Sequence, residues 1–422
     1  MYETHDIPLE RKAQTARAPA MNEYPALRPI EAVPVERDGE RMVALYDPAR
    51  YSEASVMVSI PAFYLLTLMD GGRDIDLLLE DFEKQFGAPI TRDDVINIID
   101  RMDSALMLDN ERFLRHKESI RRDFLSRPVR PAVFAGQSYP ADPGELSGHI
   151  DRLISEAPES GQAEHVRAII VPHIDFRVGA DMMAAGWKAA RESGAEIFVI
   201  LGTGHCLSDD FFSCLDKDFA TPAGPMRVDR DFLKKLETNF GENIYGQAEA
   251  HKNEHSIEFQ ALFMARLFAG RPEVTAVPIL LSFPEVVWDI DHKVFNGERI
   301  ARFIGALKKT ARECGKKVAY VASVDFSHVG ARFGDGDALD DSELKRIKAD
   351  DMELIEAIGK VDGAEFLGKI KEVNQRNRVC GFPALHTLLG ALDEGEGDLL
   401  EYRQNVEADG KTVVSFATMT LR

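Results

Sequence analysis

The chain has 422 residues, more than one hydrophobic core supports, so its length calls for two domains. Its 51 lysines and arginines face 71 aspartates and glutamates; the net charge of −20 repels nucleic-acid phosphates and anionic membrane surfaces and favours small or cationic partners. The 4 cysteines form no C-x-x-C pair and are too few for a disulfide framework, and apolar runs such as "FVILG" and "VPILL" fall far short of the roughly 20 residues that span a bilayer.

The opening "MYETHDIPLERKAQTARAPA" is charged and lacks the apolar stretch of a secretion signal, so residues 1–26 read as a flexible tail and a cytoplasmic address is expected. Residues 27–114 then form a small α+β domain. Three short strands ("AVPVER", "RMVALYD", "SVMVSI") precede three compact helices ("PAFYLLTLMDG", "DIDLLLEDFEKQFG", "TRDDVINIIDRMDSALMLD"). In the second helix Asp74 caps, Leu78, Leu79, Phe82 and Phe86 share a face, and Gly87 stops the turn. The third starts at Thr91 and repeats Val95, Ile98, Ile99, Met102 and Leu106, so both helices need a shared core. The following "NERFL" is read as the wing strand of a winged-helix-like domain. The third helix, however, carries Asp93, Asp94, Asp100, Asp103 and Asp109 against Arg92 and Arg101, the wrong sign for a groove-reading helix. A protein or peptide contact fits better.

Residues 115–128, within "HKESIRRDFLSRPVRPAV", read as a linker. From 129 to 422 aliphatic strands alternate with helical segments, which predicts an α/β domain with helices on both faces of a layered sheet. Three of these strands end on chemistry. "AIIVPHIDF" runs into His173, "EIFVILGTGHC" into His205 and Cys206, and "KVAYVASVDFSHVG" into Asp325, Ser327 and His328. The carboxyl ends of strands in open α/β sheets are where ligands bind, and any one histidine there could simply bond backbone, but three strands ending alike predict a convergent polar site. Two helical segments add donors. "HKNEHSIEFQALF" offers His251, Glu254, His255 and Glu258, with His255 and Glu258 on one helix face. "NRVCGFPALHTLLGAL" sets Cys380 at a helix start, where the positive end favours the thiolate. Cys206 is the competing thiol, and Cys214 and Cys314 read as structural.

These motifs are specific when taken together. "AG-x-x-YP" at 135–140, Pro-His at 172–173, strand-turn-histidine at 205, "TPAGPMRVD" at 221–229, "EHSIE" at 254–258, "DFSH" at 325–328 and Cys-Gly at 380–381 resemble, in order and spacing, the Memo family. Its bacterial members are named as protein B of the AmmeMemoRadiSam system, and its fold resembles that of class III extradiol dioxygenases. The resemblance implies a metal site of His173, His205 and Cys380, with Asp325 and His255 in the same pocket. It also implies a radical SAM protein and an AMMECR-type protein as partners. The small domain, through "LMDGGRDI", resembles the winged-helix peptide-recognition domains of the PqqD type. The chain departs from the Memo pattern at Ile174-Asp175-Phe176, at Thr203-Gly204 and at Ser138, which implies an extra carboxylate near the metal and a reshaped pocket.

Two imidazoles and a thiolate suit Fe(II) first, and Cu or Zn also, with a coordination position left open. His255, Asp325, His328 and Glu258 are the expected proton-handling residues. The leading expectation is an iron- or copper-dependent redox enzyme acting on a small or peptide-borne substrate. The alternatives are a zinc hydrolase using Glu258 or His255, or a non-catalytic metal- or peptide-binding partner of a radical enzyme.

Overall fold

The computed structural model describes residues 23–37, 39–159, 165–208, 210–283, 297–336, 339–408 and 410–422. The chain forms two compact units, residues 1–118 and 119–422. Most of the expected tail, residues 1–22, lies outside the described residues, but Ala26 and Leu27 make bridges to Asp70 and Leu108, so the expected tail ends earlier than residue 26.

The first unit opens with an antiparallel meander, β1 (Glu31–Arg37), β2 (Glu40–Tyr46) and β3 (Val56–Ser59), followed by α1 (Ile60–Thr67), α2 (Ile75–Phe86) and α3 (Arg92–Ser104). Local signals set the ends. Asp74 accepts from the Leu77 amide, Gly87 takes φ 64°, and Thr91 with Asp94 closes a capping box. Val43, Val58, Leu65, Leu78, Phe82, Val95 and Ile99 share one core. The wing strand expected at "NERFL" is instead the start of α4 (Glu111–Ser126). The cause is Asn110, whose side chain accepts from the Phe113 amide at 3.0 Å and starts a helix. That helix also takes in most of the stretch expected as a linker.

The second unit continues with β4 (Val129–Arg130), α5 (Pro143–Glu156), β5 (Ala168–Val171), α6 (Phe176–Glu192), β6 (Ile197–Thr203), β7 (Phe212–Cys214), β8 (Asp218–Thr221), β9 (Gly224–Met226), α7 (Arg230–Phe240), α8 (His255–Leu267), β10 (Thr275–Leu281), α9 (Gly297–Glu313), β11 (Val318–Ser323), β12 (His328–Gly330), α10 (Asp341–Gly359), α11 (Gly363–Asn377), α12 (Phe382–Ala391), β13 (Gly397–Val406) and β14 (Thr412–Leu421). The main sheet runs β12-β14-β5-β11-β6-β10-β7, with β13 on β14. Strands β5, β11, β6 and β10 are parallel and largely apolar, with polar residues such as Thr203, Thr275 and Ser323 at their ends, as suits strands covered on both faces. The closing strand is antiparallel to β5, so the sheet is mixed.

Alternate residues feed two cores. Ile170, Val199, Leu201, Val277 and Ile279 join α7, α9, α11 and α12 on one face, while Ile169, Val171, Phe198, Ile200 and Leu280 meet α5, α6 and α8 on the other. Register brings the strand ends level, Ser323 lying beside both Val171 and Gly202. The loops after β5, β6 and β11 therefore leave one edge together. No helix among the described residues is long and apolar enough to cross a membrane.

Candidate metal centre

Three strand-end loops and two helix starts meet at this edge. His173, two residues past β5, is buried. Its Nδ1 faces the Ser323 carbonyl at 2.9 Å, which fixes a proton there and turns Nε2 toward Cys380. His205, past β6, is the exposed member, with 38% of its side chain accessible. Its Nδ1 lies 3.1 Å from both oxygens of Glu254, which also accepts the His205 amide at 3.0 Å. His255, the first residue of α8, has its Nδ1 3.3 Å from the same carboxylate. One buried acid thus orients two imidazoles, stacked with centroids 4.9 Å apart, and caps α8 through the Ser256 amide. Metal-binding atoms of His173, His205 and His255 lie within 4.8 Å of one another.

Cys380 completes the group. Its Sγ is 3.5 Å from His173 Nε2 and 3.6 Å from the Asp325 carbonyl. Gly381 makes this approach possible, since a Cβ there would stand 2.5 Å from Val324 Cβ and 2.7 Å from the Asp325 carbonyl oxygen. Asp325 turns Oδ1 to the amides of His173 and Ile174, at 3.0 and 3.2 Å, and its Oδ2 is 3.7 Å from His173 Nε2. His328 bonds the Phe326 carbonyl through Nδ1 at 3.0 Å. Beneath the loops, buried Gln260 receives the Trp187 indole proton and donates to Pro172 O and Ser323 Oγ, locking the strand ends.

The charges are coupled. Burial alone would raise the Cys380 thiol, but positive His173, then His328, outweigh it and hold the thiol well below its ordinary value. Burial would depress His173, yet Asp325 and Cys380 raise it to about 9. The pair is a thiolate beside an imidazolium. Burial likewise disfavours charge on His205 and Glu254, but each holds the other ionised, His205 raised and Glu254 far lowered. Burial raises Asp325 above the ordinary carboxylate range, against the opposing pull of His173.

The structure brings together His173, His205, Cys380, Asp325 and His255 of the sequence candidates, with His328 near enough to act on the charge of Cys380 and Asp325. It uses Glu258 elsewhere. That carboxylate is fully buried, pairs with Arg130 and accepts from Tyr139 OH and the amides of Val133 and Phe134, so it anchors the "AG-x-x-YP" opener and has no oxygen left for proton transfer. The extra carboxylate implied at Asp175 is also engaged, capping α6 and pairing with Arg177 and Ser138. His251 lies away from the group, bonded to Ser213 O at 2.9 Å, and burial depresses it to about 4. Glu254 was among the donors offered by "HKNEHSIEFQALF", but reasoning from sequence assigned it no role; its one signal was a position just before the histidine that begins a helix.

A family model described as "Memo-like protein" matches residues 130–420. A MEMO1 family protein of Aquifex aeolicus is 32% identical over 387 residues, 90% of this chain and 96% of that protein, an alignment that extends into the amino-terminal unit. A MEMO1 family protein of Thermococcus kodakarensis is 32% identical over 70% of this chain and 99% of its own length, and one of Thermus thermophilus 25% identical over 83% and 99%.

Proposed function

The chain belongs to the Memo-like family, and from that premise we propose that it binds a redox-active metal, iron first and copper second, through His173, His205 and Cys380, to act on a small or peptide-borne substrate. The observation that carries this reading is the Cys380 thiol, 3.5 Å from Nε2 of His173, which is itself one of a cluster of three imidazoles. The donor set fits such an ion. The Nδ1 atoms of His173 and His205 are engaged by Ser323 O and Glu254, which leaves each Nε2 to take the ion once its proton is lost, and thiolate with imidazole suits iron and copper as well as zinc. When bound, the metal would supply Lewis acidity and electron transfer. Around it, Glu254 orients the rings of His205 and His255, Asp325 holds the His173 loop through the amides of His173 and Ile174, and His255 remains the candidate proton carrier. With Glu258 fully engaged, hydrolysis loses one of its two expected proton carriers.

The test is the metal content of protein purified without oxygen. Near-stoichiometric iron or copper is expected in the parent chain, with loss of most of it in His173→Ala and Cys380→Ser. Zinc in its place would turn the reading to hydrolysis, and no metal in the parent would overturn it.

A further inference from the structure

One fully buried carboxylate lies beyond the pocket and outside the mechanism. Asp351, on α10, accepts the Ser327 hydroxyl at 2.6 Å, the Ser415 hydroxyl at 2.5 Å and the Tyr402 hydroxyl at 2.8 Å. No cation pairs with it among the described residues. Burial pushes it up to about 6, while the three hydroxyls pull it back. A buried charge without a counter-ion is a poor way to gain stability, because apolar packing of the same volume usually does as well or better. Its presence calls for another reason.

The reason lies in what the hydroxyls hold. Ser327 is the third residue of "DFSH". Its amide donates to Ser415 Oγ at 2.8 Å, its carbonyl accepts the Ser415 amide at 2.9 Å, and the Phe326 amide donates to Ser415 O at 2.8 Å. Asp351 fastens both side chains of that clasp from below. The clasp lies directly between Asp325, which binds the His173 loop and touches Cys380, and His328, which begins β12. A tilt of the Ser327 backbone would shift both.

We propose that Asp351 is a positioning residue for the metal pocket, setting Asp325 and His328 against Cys380 and His173 through the Ser327–Ser415 clasp. This inference rests on the pocket being a metal site. Cobalt(II) binding, followed through thiolate-to-metal and ligand-field absorption, tests it on the full chain. Asp351→Asn should keep the fold, with a thermal midpoint near that of the parent, yet bind cobalt about 10-fold or more weakly. Ser327→Ala should lose affinity similarly, and the double variant should lose no more than the larger single loss, because both changes release one clasp. Tyr402→Phe removes a hydroxyl from the β13 side and should leave affinity unchanged.

Parent-like affinity in both Asp351→Asn and Ser327→Ala would overturn the inference while leaving the metal site standing, as would an equal loss in Tyr402→Phe. Should Asp351→Asn fail to fold, Ser327→Ala and Tyr402→Phe still decide it. If the parent chain takes up no cobalt, the metal reading fails and this inference falls with it.

Discussion

Glu254 carries more of the site than any other residue outside the donor set. It bonds the His205 amide, two imidazoles and the first turn of α8, so Glu254→Gln removes the charge and replaces one of the two acceptor oxygens that share those contacts with a donor. Metal affinity should fall about 10- to 100-fold, as other outer-shell losses do. Acid should act on the parent in the same direction. His173 without metal keeps its proton up to about 9, raised from 6.5, and a bound ion must displace that proton. Cobalt affinity should therefore climb as the pH rises toward about 9, with the raised His205 adding to the slope, whereas Cys380, held well below its ordinary value, adds little; calorimetric titration at fixed ionic strength would show it, and a flat profile would count against the assignment. The histidines were legible because three aliphatic runs each lead into a histidine, where one alone could simply have bonded backbone. Glu254 and Glu258 were not distinguishable, since helical spacing says which residues share a face and nothing about Arg130 waiting 128 positions away to take one of them.

At the scale of elements, the approach of α12 to the end of β11 depends on a missing side chain. Gly381→Ala would press a methyl into Val324 and the Asp325 carbonyl, of which the second is backbone and cannot swing aside. Such overpacking costs about 1–3 kcal/mol, read as a lower urea midpoint at unchanged slope, and Cys380 should move off His173 with a matching loss of bound metal. Helices and buried parallel strands were plain in the sequence, because caps, stops and unbroken aliphatic runs are local signals. The hidden parts were non-local. The wing strand became helix on one Asn110 side chain, and the direction of β14 depends on which partner it meets, as no property of "TVVSFATMTL" distinguishes antiparallel from parallel pairing.

At the scale of the whole molecule, the interior is divided. The core of the first unit shares no residue with the two that sandwich the main sheet. Leu78→Ala should cost the first unit about 2–5 kcal/mol and lower a transition of its own in calorimetry, with metal content unchanged; a matching fall in metal would mean that the units are energetically joined. Two domains were legible from length and from the change of pattern near residue 129, but the residues that share a core had to be seen.

The mixed sheet also sets a timetable. His173 and Cys380 stand 207 positions apart, and β5, which presents the first of them, gains its second neighbour only when β14 at the end of the described chain arrives. At about 5–20 residues per second, the ribosome makes the cysteine some 10–40 s after the histidine. An ion caught in that interval would meet the imidazoles without the Cys380 sulfur, a donor set that favours different metals. Which metal the finished protein carries is then partly a matter of when it is offered, and a cell that wants a thiolate-held ion must deliver it after synthesis is over.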